Sequence, residues 1–180
     1  MGRFRMGRLD HTHIRVPDRA SAVAWYAEHL GFEPVDAYDF WATGIEGGPV
    51  QISADGGATT LAIFEASEDG HPMIPQVNGI AFSVDADTFA AFVRSLPGAI
   101  QGPLGRPVLA SDVVDFDLCW AIDLMDPWGN RYELNCYDYD AVQRELVEAD
   151  AVTPTRYWPA GLHEAYETAR HGAGSGETSR

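Results

Sequence analysis

The chain of 180 residues contains no lysine, only two cysteines and no long hydrophobic run. All 12 basic residues counted as Lys and Arg are arginines, and 27 carboxylates oppose them, which gives a formal net charge of −15. A surface this acidic repels nucleic acid and anionic lipid, so we expect neither as a partner. Such a surface either serves solubility or attracts a cationic ligand, and composition alone does not decide between the two.

Membrane and secretion signals are also missing. No stretch approaches the roughly 18 apolar residues that a membrane span needs. The first eight residues are basic, but no apolar segment follows them, which argues against a secretory signal and predicts a cytoplasmic location. In a reducing compartment, Cys119 and Cys136 are expected as buried thiols rather than as a disulfide. The hydrophobic fraction of 46% is ample for a globular core.

One arrangement of residues occurs twice along the chain. Gly79 follows His11 by 68 positions, and Glu133 follows Glu65 by the same 68. The four corresponding positions therefore hold three residues of metal-ligand type and one glycine. Sites in repeated modules tend to form where the modules meet, because side chains from both can converge there.

Periodicity and turn signals give each copy the order β-α-β-β-β. Asp18 is expected to cap a helix over 19–30, and Asp85 or Asp87 a second helix. A further helix is expected over 138–150. The predicted strands are 9–16, 34–39, 50–54 and 59–65 in the first copy, and 77–84, near 108–110, 116–124 and 130–136 in the second. The predicted division is a first module at 8–66, a second at 77–137, a C-terminal helix and docked tail at 138–160, and a disordered end at 171–180.

Two motifs resemble the vicinal oxygen chelate superfamily, which includes glyoxalase I, bleomycin-resistance proteins, fosfomycin-resistance enzymes and extradiol dioxygenases. The resemblance covers about residues 8–137 and implies an α+β fold, in which two βαβββ modules form a cup-shaped mixed sheet, with a C-terminal helical tail beyond it. It also implies a homodimer. The opening motif is Leu9-Asp10-His11, then Ile14-x-Val16-x-Asp18 and Trp25-Tyr26-x-x-x-Leu30-Gly31-Phe32; the closing motif is Asp126-Pro127-x-Gly129-Asn130-x-x-Glu133-Leu134.

The resemblance implies a divalent metal (Fe, Mn, Ni, Co, Zn or Mg) in that cup. His11 and Glu133 match ligand positions of the family, and Glu65 matches a glutamate that glyoxalase-like members use. Gly79 departs from the pattern, because the family usually has its second histidine there. His13, two residues from His11 on the same strand face, or His71 in the linker could supply the missing ligand.

Other residues are candidates for catalysis and for substrate binding. His13 and Glu133 are the candidate proton carriers. Arg131 and Asn135 share the strand parity of Glu133, so both are expected to line the site. Three aromatic residues on or next to the second predicted strand are candidates for a ligand wall, Tyr38, Phe40 and Trp41, of which Phe40 and Trp41 are the predicted substrate contacts.

Three functions of different classes fit these residues. The first is a metal-dependent enzyme (isomerase, epimerase, lyase or dioxygenase) that chelates a small substrate through two neighbouring oxygens. The alternative is a metal-free protein that binds a small molecule or drug, as resistance proteins do. The third is a structural or regulatory module whose cavity is filled by its own side chains.

Overall fold

The computed structural model describes residues 9–67 and 72–156, together with the single positions 164, 165 and 168. The chain divides into two compact units, residues 1–76 and 77–180. Each unit contains one mixed β-sheet with helices, so the α+β fold class is confirmed. Among the described residues, no helix is long and apolar enough to span a bilayer.

The first unit has a four-stranded sheet in the order β1-β4-β3-β2. Strand β1 runs parallel to β4, whereas the pairs β3–β4 and β2–β3 are antiparallel. Its elements are β1 (His11–Val16), α1 (Arg19–Leu30), β2 (Glu33–Pro34), a 3-10 turn (Asp36–Tyr38), α2 (Asp39–Gly44), β3 (Val50–Ser53) and β4 (Thr60–Glu65).

Helix α1 begins and ends where the sequence predicts. The Asp18 carboxylate accepts a hydrogen bond from the backbone N–H of Ser21 at 2.7 Å, and Gly31 ends the helix with a φ of 68°. Ala22 and Tyr26 are fully buried on the helix face that packs against the sheet. The sheet side of this core is formed by Ile14, Val16, Leu61 and Ile63, all 2% exposed or less.

The strand predicted over 34–39 is wrong beyond its first residues. The backbone N–H of Val35 donates to the carbonyl of Gln51, and sheet pairing ends there. The N–H of Tyr38 then donates back to the carbonyl of Val35 at 2.8 Å, which closes a 3-10 turn that leads into α2. Helix α2 therefore places aromatic residues where an extended segment was expected.

The second unit has a five-stranded sheet in the order β5-β8-β7-β6-β9. The predicted strand near 108–110 is wrong, since this segment leads into a 3-10 turn at Ala110–Asp112. The elements are β5 (Ile80–Ser83), α3 (Ala86–Arg94), two 3-10 turns (Pro103–Gly105 and Ala110–Asp112), β6 (Val114–Asp115), β7 (Trp120–Met125), β8 (Arg131–Cys136), α4 (Tyr139–Val142) and β9 (Thr155–Arg156). Asp85 caps α3 by accepting from the N–H of Thr88 at 2.8 Å.

The β7–β8 hairpin follows from the Asp-Pro-Trp-Gly-Asn sequence of its turn. The buried Asp126 carboxylate accepts from the backbone N–H groups of Trp128 and Asn130, at 2.9 and 2.8 Å. Cys119 and Cys136 are both free and buried, as predicted.

The segment after β8 folds back onto the second sheet. Helix α4 continues as a π-helical turn (Gln143–Val147), so the predicted C-terminal helix is confirmed over 139–147, with Val142 and Leu146 fully buried. Strand β9 then pairs in parallel with β6, an addition that the sequence analysis did not predict. The predictions for His71, for the tail beyond residue 156 and for the end at 171–180 lie outside the continuously described ranges.

Candidate functional site

Two histidines lie side by side on β1 of the first unit. Because side chains alternate along a strand, His11 and His13 lie on the sheet face opposite α1. Their Nε2 atoms are 3.0 Å apart and their rings are stacked, with centroids 4.9 Å apart. The Asp10 carboxylate lies 2.7 Å from Nδ1 of His11. A carboxylate there accepts the Nδ1 proton, which leaves the Nε2 lone pair of His11 available.

The surroundings of His13 favour a neutral imidazole. Partial loss of water contact lowers the pKa of His13, and the positive charges of His11 and Arg15 lower it further. Its ring lies edge-on to Phe64, with centroids 5.0 Å apart. His13 therefore offers an unprotonated nitrogen at neutral pH, the form in which histidine binds metals.

A cavity of about 530 Å³ opens beside this histidine pair. Its apolar walls include Tyr38, Trp41, Ile45 and Phe64, and its polar groups, among the residues that the structure describes, include two carboxylates and no arginine. The volume lies within the range of small-molecule sites. The other residues that line it are Asp10, His11, His13, Glu46, Gly47, Gly48, Pro49, Gln51, Gly57 and Thr60.

A close backbone contact fixes the loop that borders Trp41. A Cβ at Gly48 would lie 1.8 Å from the backbone oxygen of Trp41, so only glycine allows this approach. The Gly48 N–H donates to the carbonyl of Ile45 at 2.9 Å, and Arg19 donates to the Gly48 carbonyl. The loop is therefore anchored both to α2 and to α1.

Glu65 lies on the other face of the same sheet. It pairs with Val16, and paired residues of neighbouring strands share a face, so Glu65 is on the side of α1. Its carboxylate accepts from the backbone N–H of Arg19 at 3.3 Å and lies 3.6 Å from the Arg19 guanidinium. The structure thus brings His11 together with His13 rather than with Glu65, whose role as a metal ligand stays a prediction.

Strand register also corrects the correspondence between the two units. His13 pairs with Ala62 in the first sheet, whereas Ala81 pairs with Glu133 in the second. Position 62, not Glu65, therefore corresponds to Glu133, and the constant 68-residue offset fails at the closing strands. Gly79 lies just before β5 with a φ of 87°, a left-handed conformation that a histidine adopts only with strain.

In the second unit, Glu133 and its neighbours bind one another. Asn135 donates from Nδ2 to Oε1 of Glu133 at 2.7 Å. Arg131 donates from Nε and Nη2 to both oxygens of Asp123, at 3.0 and 2.6 Å, so a carboxylate of the protein already occupies its guanidinium fork. Arg131 and Glu133 line a separate cavity of about 340 Å³ with Arg106, Asp112 and others of this unit.

The predicted wall residues have unequal positions. Trp41 lines the first-unit cavity, whereas Phe40 is 55% exposed and contacts Trp41 with ring centroids 5.0 Å apart. Several lining residues were not predicted from the sequence, among them Gln51, Thr60 and Phe64. Thr60 and Phe64 alternate with the buried Leu61 and Ile63, and that parity was the signal that could have identified them.

Within residues 9–67 and 72–156, no group of three or more histidine, cysteine, aspartate or glutamate side chains is placed to hold a metal ion. The largest such arrangement at the first-unit cavity is the histidine pair with Asp10 behind it. It offers two nitrogen ligands and one orienting carboxylate.

Comparison with known proteins identifies the fold. The family profile described as the Glyoxalase/Bleomycin resistance protein/Dioxygenase superfamily matches residues 8–134. TnmS3, an antibiotic binding protein from Streptomyces sp. CB03234, is 20% identical with a TM-score of 0.52, over 75% of this chain and 99% of that one. Oxidase ChaP-H1 is 22% identical with a TM-score of 0.52, over 74% and 98% of the two chains. No curated protein matches the chain.

Proposed function

The chain belongs to the Glyoxalase/Bleomycin resistance protein/Dioxygenase superfamily, and from that premise we propose a metal-dependent enzyme that acts on a small oxygen-bearing substrate. In this proposal His11 and His13 hold a divalent ion at the first-unit cavity. The reaction is of the isomerase, epimerase, lyase or dioxygenase type. The similar solved structures include oxidases and an antibiotic binding protein, so the fold does not select one of these.

The distance between the two Nε2 atoms is the observation that carries the proposal. Histidine nitrogens bind zinc-like ions at about 2.0–2.1 Å, so two neighbouring ligands on one ion lie roughly 3 Å apart. The Nε2 atoms of His11 and His13 are 3.0 Å apart. The pair therefore fits two adjacent coordination positions without movement of β1.

The neighbouring groups prepare both nitrogens for this role. Asp10 orients the His11 ring by accepting from Nδ1, as carboxylates behind metal-bound histidines do. The lowered pKa of His13 favours its neutral imidazole, which carries a lone pair on one ring nitrogen. In this proposal His13 is the second histidine ligand, because Gly79 stands where the family usually has one.

A bound divalent ion would supply Lewis-acid polarisation of two neighbouring substrate oxygens. The chain's own contribution is to contact the substrate with the aromatic side chains that line the cavity, among them Trp41 and Phe64. Thr60 donates to Oε1 of Gln51 at 2.5 Å, which leaves the Gln51 amide N–H groups available to a substrate oxygen. The role of Glu133 as a proton carrier stays a prediction.

A metal-free binding protein is the second candidate, and one observation favours it. At 3.0 Å the Nε2 atoms of His11 and His13 can share a hydrogen bond, so the pair is satisfied without an ion. The aromatic walls would then bind a compound that is not turned over. The two functions differ in whether the protein requires metal, which one experiment decides.

The test is metal content of protein purified without an affinity tag that binds metal, before and after addition of Mn, Fe, Co, Ni or Zn. We expect one ion per chain, and at least about tenfold weaker binding in His11→Ala and in His13→Ala. His29→Ala is the matched control, since His29 lies on α1 against Trp25 and does not line the cavity. Stoichiometric metal that both single variants retain would contradict the proposal.

Glutamate variants extend the same measurement to the other predicted ligands. Glu65→Gln is expected to retain the metal, because Glu65 faces α1 and binds Arg19. Glu133→Gln asks whether the second unit contributes a ligand. Loss of metal in Glu65→Gln but not in His13→Ala would restore the ligand set inferred from the family and reject the histidine pair.

A further inference from the structure

The first-unit cavity has walls of one chemical kind. Three aromatic side chains line it, one from the turn before α2, one from α2 and one from β4: Tyr38, Trp41 and Phe64. Ile45 adds aliphatic surface and is itself 47% exposed. Aromatic walls of this kind contact planar rings well, since stacked and edge-to-face ring pairs gain energy beyond the area they bury.

Of the charged side chains that the structure describes at the cavity, all are carboxylates. Asp10 and Glu46 line it, no arginine of the described residues does, and the chain has no lysine. Glu46 forms no ion pair with any residue in the part of the chain that the structure describes. Without a bound metal ion, an anionic ligand would therefore meet two carboxylates and no arginine of the described residues, whereas a cation would meet both carboxylates and aromatic faces.

Two described arginines of the first unit, Arg15 and Arg19, do not change this balance. Arg15 lies over the ring of Phe64, with its guanidinium carbon 5.6 Å from the ring centroid, and does not line the cavity. Arg19 donates to the carbonyl of Gly48 and lies beside Glu65 on the α1 side. Both guanidinium groups are thus engaged with other groups of the protein.

We propose that this cavity selects a compound with an aromatic ring and a positive charge, and that it rejects anionic compounds of the same size. The inference rests on the proposed function in that the same cavity holds the substrate. The ring would lie between Trp41 and Phe64, and the positive charge would lie towards Glu46. The net charge of −15 adds a long-range attraction for the same class of ligand.

The test uses three compounds that share a phenylethyl skeleton and differ in the charge at its end: phenethylamine, 2-phenylethanol and phenylacetate. Their dissociation constants are measured by ligand-observed NMR titration of the full chain at pH 8, where ordinary histidines are neutral. Phenethylamine should bind tightest and phenylacetate weakest, with about a tenfold difference between these two. Equal affinities, tighter binding of phenylacetate, or no binding of any compound would overturn the inference.

Two variants connect the preference to named residues. Glu46→Gln should weaken phenethylamine about two- to fivefold and leave 2-phenylethanol unchanged, as expected for an exposed charge pair. Trp41→Leu should weaken all three compounds about fivefold. The matched controls are Glu28→Gln on α1 and Tyr137→Leu in the second unit, neither of which lines the cavity. Controls that lose affinity as much as the cavity variants would reject the assignment.

The outcome separates this inference from the proposed function. The three compounds are measured in the presence of a chelator, so their binding does not depend on an ion. If the cavity prefers cations but the protein binds no metal, the proposed metal-dependent function is wrong and the proposed ligand preference stands. If the protein binds metal but the cavity does not prefer cations, the proposed metal site stands and the proposed ligand preference is wrong.

Discussion

At the scale of single residues, the backbone conformation at position 79 explains why this predicted ligand position holds a glycine and not a histidine. Its φ of 87° lies in the left-handed region, and a Cβ there would contact only the Arg131 side chain at 3.7–3.9 Å. The strain therefore comes from the backbone rather than from crowding. Gly79 is explained as a conformational requirement at the entry to β5.

Gly79→His should destabilise the protein by about 1–2 kcal/mol, because L-residues other than Asn and Asp rarely adopt this conformation. Gly79→Asn should cost less, since asparagine tolerates positive φ better than most. Urea unfolding of both variants measures the difference in the free energy of unfolding. A Gly79→His variant as stable as the wild type would contradict the assignment of strain.

The two thiols should be inert in the native protein. Burial, with the nearby carboxylate of Glu133, raises the pKa of Cys119 to about 11, and burial also raises the pKa of Cys136. Neither thiol should react with Ellman's reagent at pH 8 until denaturant unfolds the chain, after which two thiols should be counted. Rapid reaction of either thiol in the native state would contradict its burial.

Residue parity shows what the sequence could and could not predict about the site. His11 and His13 were placed on one face by alternation, and the structure places them there. The same alternation, applied to β4, puts Glu65 with the core residues Leu61 and Ile63, so its position was readable before the structure. The 3.0 Å approach of the two imidazoles was not readable, because it depends on rotamers and on Asp10.

At the scale of elements, β9 is anchored by an ion pair rather than by its length. Arg156 donates from Nη2 to Asp115 at 2.6 Å, and Asp115 is 4% exposed. The hydroxyl of Tyr139 donates to the other oxygen of Asp115 at 3.0 Å. One buried carboxylate thus connects β6, α4 and β9.

Arg156→Gln should lower the free energy of unfolding by about 1 kcal/mol. The estimate is at the low end for a buried carboxylate that loses its partner, since 43% of the Arg156 side chain is exposed. Arg144→Gln is the control, an arginine of the π-helical turn outside this ion pair. Equal stability of Arg156→Gln and the wild type in urea unfolding would show that β9 contributes nothing.

The contacts around Asp115 also predict that Tyr139 loses its proton only at high pH. Burial, with the hydrogen bond to Asp115 and its charge, raises the pKa of Tyr139 from 10 to about 12. A raised acidic pKa favours the protonated side chain in the folded state, so its stabilisation is full below pH 10 and is lost as the pH rises towards 12. In an absorbance titration of tyrosinate, the change near pH 12 should be one tyrosine smaller in Tyr139→Phe than in the wild type, and Tyr137→Phe should keep it.

Elements with local sequence signals were predicted, whereas elements that depend on contacts with distant residues were not. Helix α1 has a local cap at each end, Asp18 and Gly31, and its bounds were predicted. Helix α2 has no side-chain cap and only six residues, so periodicity could not separate it from a strand. Strand β9 has two residues and exists through pairing with β6, a contact with no local signature.

At the scale of the whole molecule, the repeat identified the family but did not fix its site. Each unit contains the predicted β-α-β-β-β series, with α2 inserted between β2 and β3 in the first unit and α4 and β9 added after β8 in the second, and each unit has its own cavity. The first cavity is aromatic and carries carboxylates, whereas the second holds arginine–aspartate pairs, Arg106–Asp112 and Arg131–Asp123. The two copies have therefore diverged in the chemistry they offer a ligand. The homodimer and the cytoplasmic location stay predictions.

The central claim is that two histidines of one strand bind the same ion, and X-ray absorption of the cobalt- or zinc-loaded protein tests it most directly. The scattering from imidazole rings counts histidine ligands around the ion. We expect two in the wild type and in His29→Ala, and at most one in His13→Ala, with weaker binding. A single imidazole in the wild type that persists unchanged in His13→Ala would contradict the claim.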